Sequence, residues 1–176
     1  VLGVAWKKLG LPLPLAILVA LSVGTLAGLF NGIIITRFKV PPLIATLATL
    51  ALYRGLAEGI SQARSIRGYP EWFFILGQGE FFGIPTQLWI VAFFTLLTGF
   101  ILTYTTWGRA TYAIGANETA ARFSGIAVDK TKLFIYAASG FAASLAAIIF
   151  VSRVSTTRSD MGLSLIHISE PTRQAT

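Results

Sequence analysis

Long stretches without a single charged side chain constrain this chain more than any other feature. The first fills residues 9–36, between Lys8 and Arg37, and is 28 residues long. A second of 28 residues fills 81–108, between Glu80 and Arg109. A third of 20 fills 133–152, between Lys132 and Arg153, and a shorter one of 14 fills 40–53, between Lys39 and Arg54. A membrane-spanning helix needs about 20 apolar residues. Backbone amides left unpaired in hydrocarbon cost several kcal/mol each, so these runs must be helical.

Composition supports the same class. Only 12% of residues are charged, against about 25% in a soluble domain. With 55% hydrophobic residues and a mean hydropathy of +0.73, the chain is neither an ordinary cytosolic enzyme nor disordered. The net charge of +7 does not point to nucleic acid, because the bases lie in the gaps between apolar runs, where loops and lipid headgroups hold them. There is no cysteine, which excludes disulfides and thiolate metal sites, and no metal site is expected.

Run 81–108 is the surest span. Its core, Leu88–Tyr104, holds ten Leu, Ile, Val or Phe residues, with Trp89, Tyr104 and Trp107 near its ends as interfacial anchors. Run 40–53 is the weakest. It starts at Pro41-Pro42, as helices do, and Arg54 and Glu58 stand at i, i+4, able to pair if the helix continues. A full span is expected there, with Arg54 snorkelling, against a re-entrant or interfacial alternative. In the first run Gly24, Gly28 and Gly32 follow Ala20 at four-residue spacing. In the last, Ser139, Ala143 and Ala147 do the same, beside Gly140 and Ser144. Small faces of this kind let helices approach closely. The expected architecture is all-α, a polytopic integral membrane helix bundle of about four transmembrane helices.

The three long runs lack ionisable groups, which argues against a proton-driven carrier. No GxxxxGK[ST] loop or HExxH motif occurs, and the one histidine, His167, is near the C-terminus. No nucleophile–base pair assembles, so no catalytic residue is expected. Basic density is only slightly higher in the links that follow the first and third runs, and it fixes orientation weakly.

The link between the third and fourth runs has its own local grammar. Asn117 can cap a helix, Glu118 suits a first turn, Ala120 and Ala121 favour helix, Arg122 suits the end and Gly125 a stop. A helix of about two turns follows, which local grammar alone reads as a solvated connector.

The segment GRATYAIGANETAARFSGIAVDKTKLFIYAASG resembles the loop and following helix of ribose-type sugar permeases of bacterial ATP-binding-cassette importers, within the branched-chain amino acid/ribose permease superfamily. VPPLIATLATLALYRGLA, GYPEWFFILGQGEFFGIPTQLWI and ASLAAIIFVSRVSTTRSDMG resemble the same family in order and spacing, so the likeness covers nearly all of Leu11–Gly162. It implies that Asn117, Glu118, Ala120, Ala121, Arg122, Ser124, Gly125 and Ile126 form a cytoplasmic coupling helix seated in a nucleotide-binding ATPase subunit. The 105–132 loop is then cytoplasmic and the Arg54–Gln87 stretch lies outside. ATP binds the partner, so this chain needs no cofactor of its own. Further implied partners are a second permease copy or paralogue, a periplasmic sugar-binding protein and the lipid bilayer of the bacterial inner membrane.

Asn31, Thr46 and Thr49 are candidates to line a substrate path, though such groups more often bond backbone carbonyls. Tyr69, Glu71, Trp72 and Phe73 are candidates for contact with a binding protein. The cargo expected is a monosaccharide, with rhamnose or autoinducer-2 hinted by GYPEWFF…LGQGEFFGIP. The alternatives are a nucleoside or branched-chain amino acid, or a secondary carrier or membrane-embedded enzyme. Residues 163–173, LSLIHISEPTR, resemble a translated transposase adapter of sequencing libraries. The expected division is therefore a partial transmembrane permease domain, 1–162, and a foreign read-through, 163–176.

Overall fold

The computed structural model describes residues 1–7, 10–61, 70, 73, 77–81 and 83–154. The tail 163–176 and the candidates Tyr69, Glu71 and Trp72 lie outside the described residues. The elements are α1 (Leu2–Lys7), α2 (Leu13–Arg37), α3 (Pro42–Ser61), β1 (Glu80–Phe81), β2 (Ile84–Pro85), α4 (Thr86–Tyr104), α5 (Thr106–Ala116), α6 (Glu118–Phe123) and α7 (Val128–Val154). The four long helices α2, α3, α4 and α7 are each long and apolar enough to cross a membrane. The chain is an all-α polytopic bundle, and among the described residues the one ladder is the two-residue hairpin pairing of Glu80 with Pro85 and Phe81 with Ile84.

The weakest run forms a continuous helix after all. α3 begins with Pro42 in its first turn, where no amide hydrogen is missed. It continues through Arg54 and Glu58, whose Nε–Oε1 distance is 3.2 Å.

Packing centres on α2 against α7, which run antiparallel. Gly24 faces Ser144 and Gly140, Gly28 faces Gly140 and Tyr136, and Gly32 faces Tyr136 and Leu133. A methyl group added to Gly28 would fall 2.9 Å from the Gly140 Cα, so the backbones themselves touch. On α7 the small residues that meet α2 are Gly140 and Ser144. Ser139, Ala143 and Ala147, the stripe expected from the sequence, are exposed on the neighbouring face. At the far end, α1 folds over α2, and Leu2, Ala5, Leu13, Ala16, Phe73, Ile148 and Val151 make an apolar core.

Two helix boundaries do not coincide with the ends of the charge-free runs. The third run does not stay in one helix to residue 108. It breaks at Thr105, whose hydroxyl donates to the Ile101 carbonyl (2.6 Å) and accepts from the Gly108 amide (3.3 Å). Gly108 makes this elbow possible, because a Cβ there would meet the Leu102 backbone. The fourth helix starts at Val128 rather than after Lys132. The 105–132 link is therefore mostly helical: α5, α6 and the first turn of α7.

Candidate functional site: the link between α4 and α7

α6 is built by the residues its sequence predicts. The Asn117 side-chain oxygen accepts from the Ala120 amide at 3.0 Å, satisfying one of the helix's free donors. Glu118 stands in the first turn and Arg122 in the last, each favoured by the helix dipole. The chain leaves through Ser124 and then Gly125 at φ +82°, a left-handed turn that glycine adopts freely. Ile126 closes it, its amide donating to the Ala121 carbonyl at 3.1 Å.

A chain of charges fixes α6 to the start of α7. Lys132 Nζ lies 2.6 Å from Glu118 Oε2, and Arg122 lies 3.5 Å from Glu118 Oε1. Arg122 also grips Asp129 with both terminal nitrogens, at 2.8 and 3.2 Å. Every member is partly exposed, so each pair contributes little stability alone. What the set provides is orientation, because a forked guanidinium on a carboxylate fixes direction as well as distance. The hydrogen bond from Lys132, reinforced by Arg122, holds the Glu118 carboxyl below the usual carboxylate range. The Asp129 contact pushes Arg122 further up. Glu118 and Arg122 are thus committed inside the chain, and Asp129 and Lys132 are partners the sequence reading missed.

Of the remaining residues, Ala121 is buried, and Asn117, Ala120, Ser124 and Gly125 are exposed. Phe123 is 89% exposed, more than any other large apolar side chain described. It was also missed. Its only signal was an aromatic ring placed in an otherwise small and polar helix. The inner end of the elbow is steadied by Trp107 against Phe134, with ring centres 4.5 Å apart.

The candidate path residues separate. Thr49 is buried, its hydroxyl bonded to the Ala45 carbonyl at 3.0 Å. Thr46 donates to the Pro42 carbonyl at 2.9 Å. Asn31 differs: its Oδ1 is buried without a hydrogen-bond partner among the described residues, a state that costs about 1–3 kcal/mol. Asn31 and Thr46 line a cavity of about 440 Å³ between α2, α3 and α7, and Thr49 does not.

At the opposite end, Gln78 donates to the Arg153 carbonyl (2.9 Å), Arg153 reaches Gln87 (3.4 Å) and Gln87 donates to the Gly77 carbonyl. Phe73, the one candidate of its loop that the structure describes, is buried, and its carbonyl accepts from the Ser152 hydroxyl. It is core rather than a free contact.

The model of the family described as branched-chain amino acid transport system / permease component matches residues 1–168. The chain belongs to this family. Among curated relatives, the permease is 40% identical over 141 residues to the L-arabinose transport system permease protein AraH of Escherichia coli (strain K12). That alignment covers 79% of this chain and 43% of the relative. It is 40% identical over 158 residues to the ribose import permease protein RbsC of Haemophilus influenzae, covering 88% and 49%. It is 35% identical over 144 residues to the autoinducer 2 import system permease protein LsrC of Klebsiella pneumoniae, covering 82% and 42%. The permease chain spans a little under half the length of these relatives. No solved structure matches it significantly.

Proposed function

We propose that the full-length protein is the membrane subunit of an ATP-binding-cassette importer, carrying a monosaccharide across the bacterial inner membrane. A separate nucleotide-binding subunit supplies the ATP hydrolysis. The observation that carries this reading is α6: a capped helix between two membrane helices, fastened to α7 by its own charges, with Phe123 left bare. The names of the arabinose, ribose and autoinducer-2 relatives support sugar import.

In this reading the 105–132 link is cytoplasmic and α6 seats in the ATPase. ATP binding moves α6, and the ion pairs pass the motion to α7. The driving free energy is the difference in ATP affinity between inward- and outward-open states. The opposite end, with Gln78, Gln87 and Arg153, faces the sugar-binding protein. A second permease copy completes the pathway.

The test uses the full-length permease with its ATPase and binding protein in proteoliposomes. Deleting 117–126, or making Arg122→Glu, is expected to abolish sugar uptake and binding-protein-stimulated ATPase activity together. Undiminished uptake and stimulation would overturn the assignment. The family's description favours branched-chain amino acids as a second reading, and uptake of L-leucine in place of pentose in the same vesicles would establish it.

A further inference from the structure

We propose that Lys39, in the turn between α2 and α3, is a positioning residue of the transport cycle: when α6 is displaced, its ammonium takes the Asp129 carboxylate over from Arg122. The proposal rests on the ATPase-driven reading above and names a second place where the motion of α6 is received.

The turn itself is the first observation. α2 ends at Arg37, Phe38 stays in the helical region at φ −92°, and Lys39 follows at φ +52°. This is the left-handed position after a helix end that glycine fills most readily, as Gly125 does after α6. Lys39 is the only residue other than glycine with a positive φ among the described residues. A backbone that suits glycine here carries a long charged side chain instead. Val40, Pro41 and Pro42 come next. Two prolines leave the connection few soft torsions, so a pull on Lys39 is a pull on the start of α3.

The second observation is where the turn lies. An open cleft of about 530 Å³ is walled by Lys39 and Pro41 of the turn, Glu118 and Arg122 of α6, and Asp129 and Lys132 of α7. The other charges are engaged: Lys132 with Glu118 at 2.6 Å and Arg122 with Asp129 at 2.8 Å. Lys39 is exposed, and among the described residues its ammonium joins no ion pair. Its charge nevertheless reaches Asp129. Asp129 thus has cations from two other elements, one gripping it and one at a distance.

The exchange needs little free energy. Asp129 is exposed and is paired before and after, so the two arrangements differ only by the gap between two weak surface ion pairs. A small displacement of α6 is enough to reverse the preference. Lys132 is held by Glu118 and stands on the same helix as Asp129, so pairing with it would draw no other element closer. Pairing with Lys39 closes the α2–α3 turn on α7 as α6 withdraws.

The experiment uses the full-length permease with its ATPase and binding protein in proteoliposomes, with spin labels at Val40 and Lys130. A non-hydrolysable ATP analogue is expected to shorten the distance between them. Lys39→Gly and Asp129→Asn should each remove the shortening, and Lys39→Arg, which keeps the charge, should retain it. Without labels, Lys39→Gly should lower the sugar carried per ATP hydrolysed about three- to fivefold, the loss of one exposed ion pair in one state. Its melting temperature should be unchanged or higher, since glycine accepts φ +52° freely. An unchanged distance in the parent protein, a shortening that survives Lys39→Gly, or one that is lost in Lys39→Arg would overturn the proposal. So would a lowered melting temperature of Lys39→Gly, which would mean the side chain already has a partner at rest. Deleting 117–126 tests the importer reading separately. If that deletion abolishes uptake while the label distance stays fixed, the reading stands and the exchange fails.

Discussion

Phe123 and Glu118 illustrate two different uses of a residue on the same six-residue helix. Nothing among the described residues covers Phe123, and a bare aromatic ring on a short, rigid segment is the kind of group that anchors an interface. Phe123→Ala should weaken ATPase binding by about 2 kcal/mol or more while the permease's own melting is unchanged, as co-purification with graded salt and a thermal melt would show. Glu118 works inward. Its carboxyl is held below the usual range by Lys132 first and Arg122 second. A depressed carboxylate contributes attachment that is fully present above its unfolded value and lost as pH falls through the folded one. Spin labels at Thr119 and Lys130 should therefore keep a narrow distance distribution near neutrality and broaden only as the pH falls below the usual carboxylate range. Asn117, Glu118 and Gly125 were legible in the sequence because capping and turn chemistry are local. The exposure of Phe123 and the pairing of Arg122 with Asp129 were not, since both depend on how α6 folds back on α7.

At the scale of elements, two small-residue faces were legible from residue spacing, and tertiary packing chose between adjacent stripes on the last helix. Ser139, Ala143 and Ala147 fit the four-residue rule as well as Gly140 and Ser144 do. Only the crossing with α2 selects the second pair, by pressing backbone on backbone at Gly28 and Gly140. Gly140→Ala should lower stability by about 1–3 kcal/mol despite a propensity gain of about 1, measurable by unfolding in graded detergent mixtures. A neutral or stabilising result would show that the two helices do not touch there. The break at Thr105 was hidden for a related reason. The apolar run continues past it, and only the double use of one hydroxyl, with Gly108 tucked against Leu102, ends α4.

For the whole molecule, the order of spans was readable from charge-free run lengths, since hydrocarbon tolerates little else. What surrounds them was not. α4 buries none of its residues within this chain, so its apolar faces meet lipid or protein beyond the described residues. The helix order places Lys39 and α6 at one end of the bundle and the hairpin at Gly83 at the other. Single cysteines at Lys39 and Thr119 should react from the same side of sealed vesicles, and one at Gly83 from the other side. Any other pattern would contradict the bundle.

α7 joins both ends of this arrangement. Asp129 is tied to Arg122 of α6 and Arg153 to Gln87 of α4, with Gly140 pressed on α2 between them. At 1.5 Å per residue, the two arms from Gly140 measure about 17 and about 20 Å. The glycine crossing thus sits near the balance point of a seesaw. A rocking of about 5° there would shift each tip by about 1.5 Å in opposite senses, so a nudge at one end of the helix would be repeated, inverted, at the other.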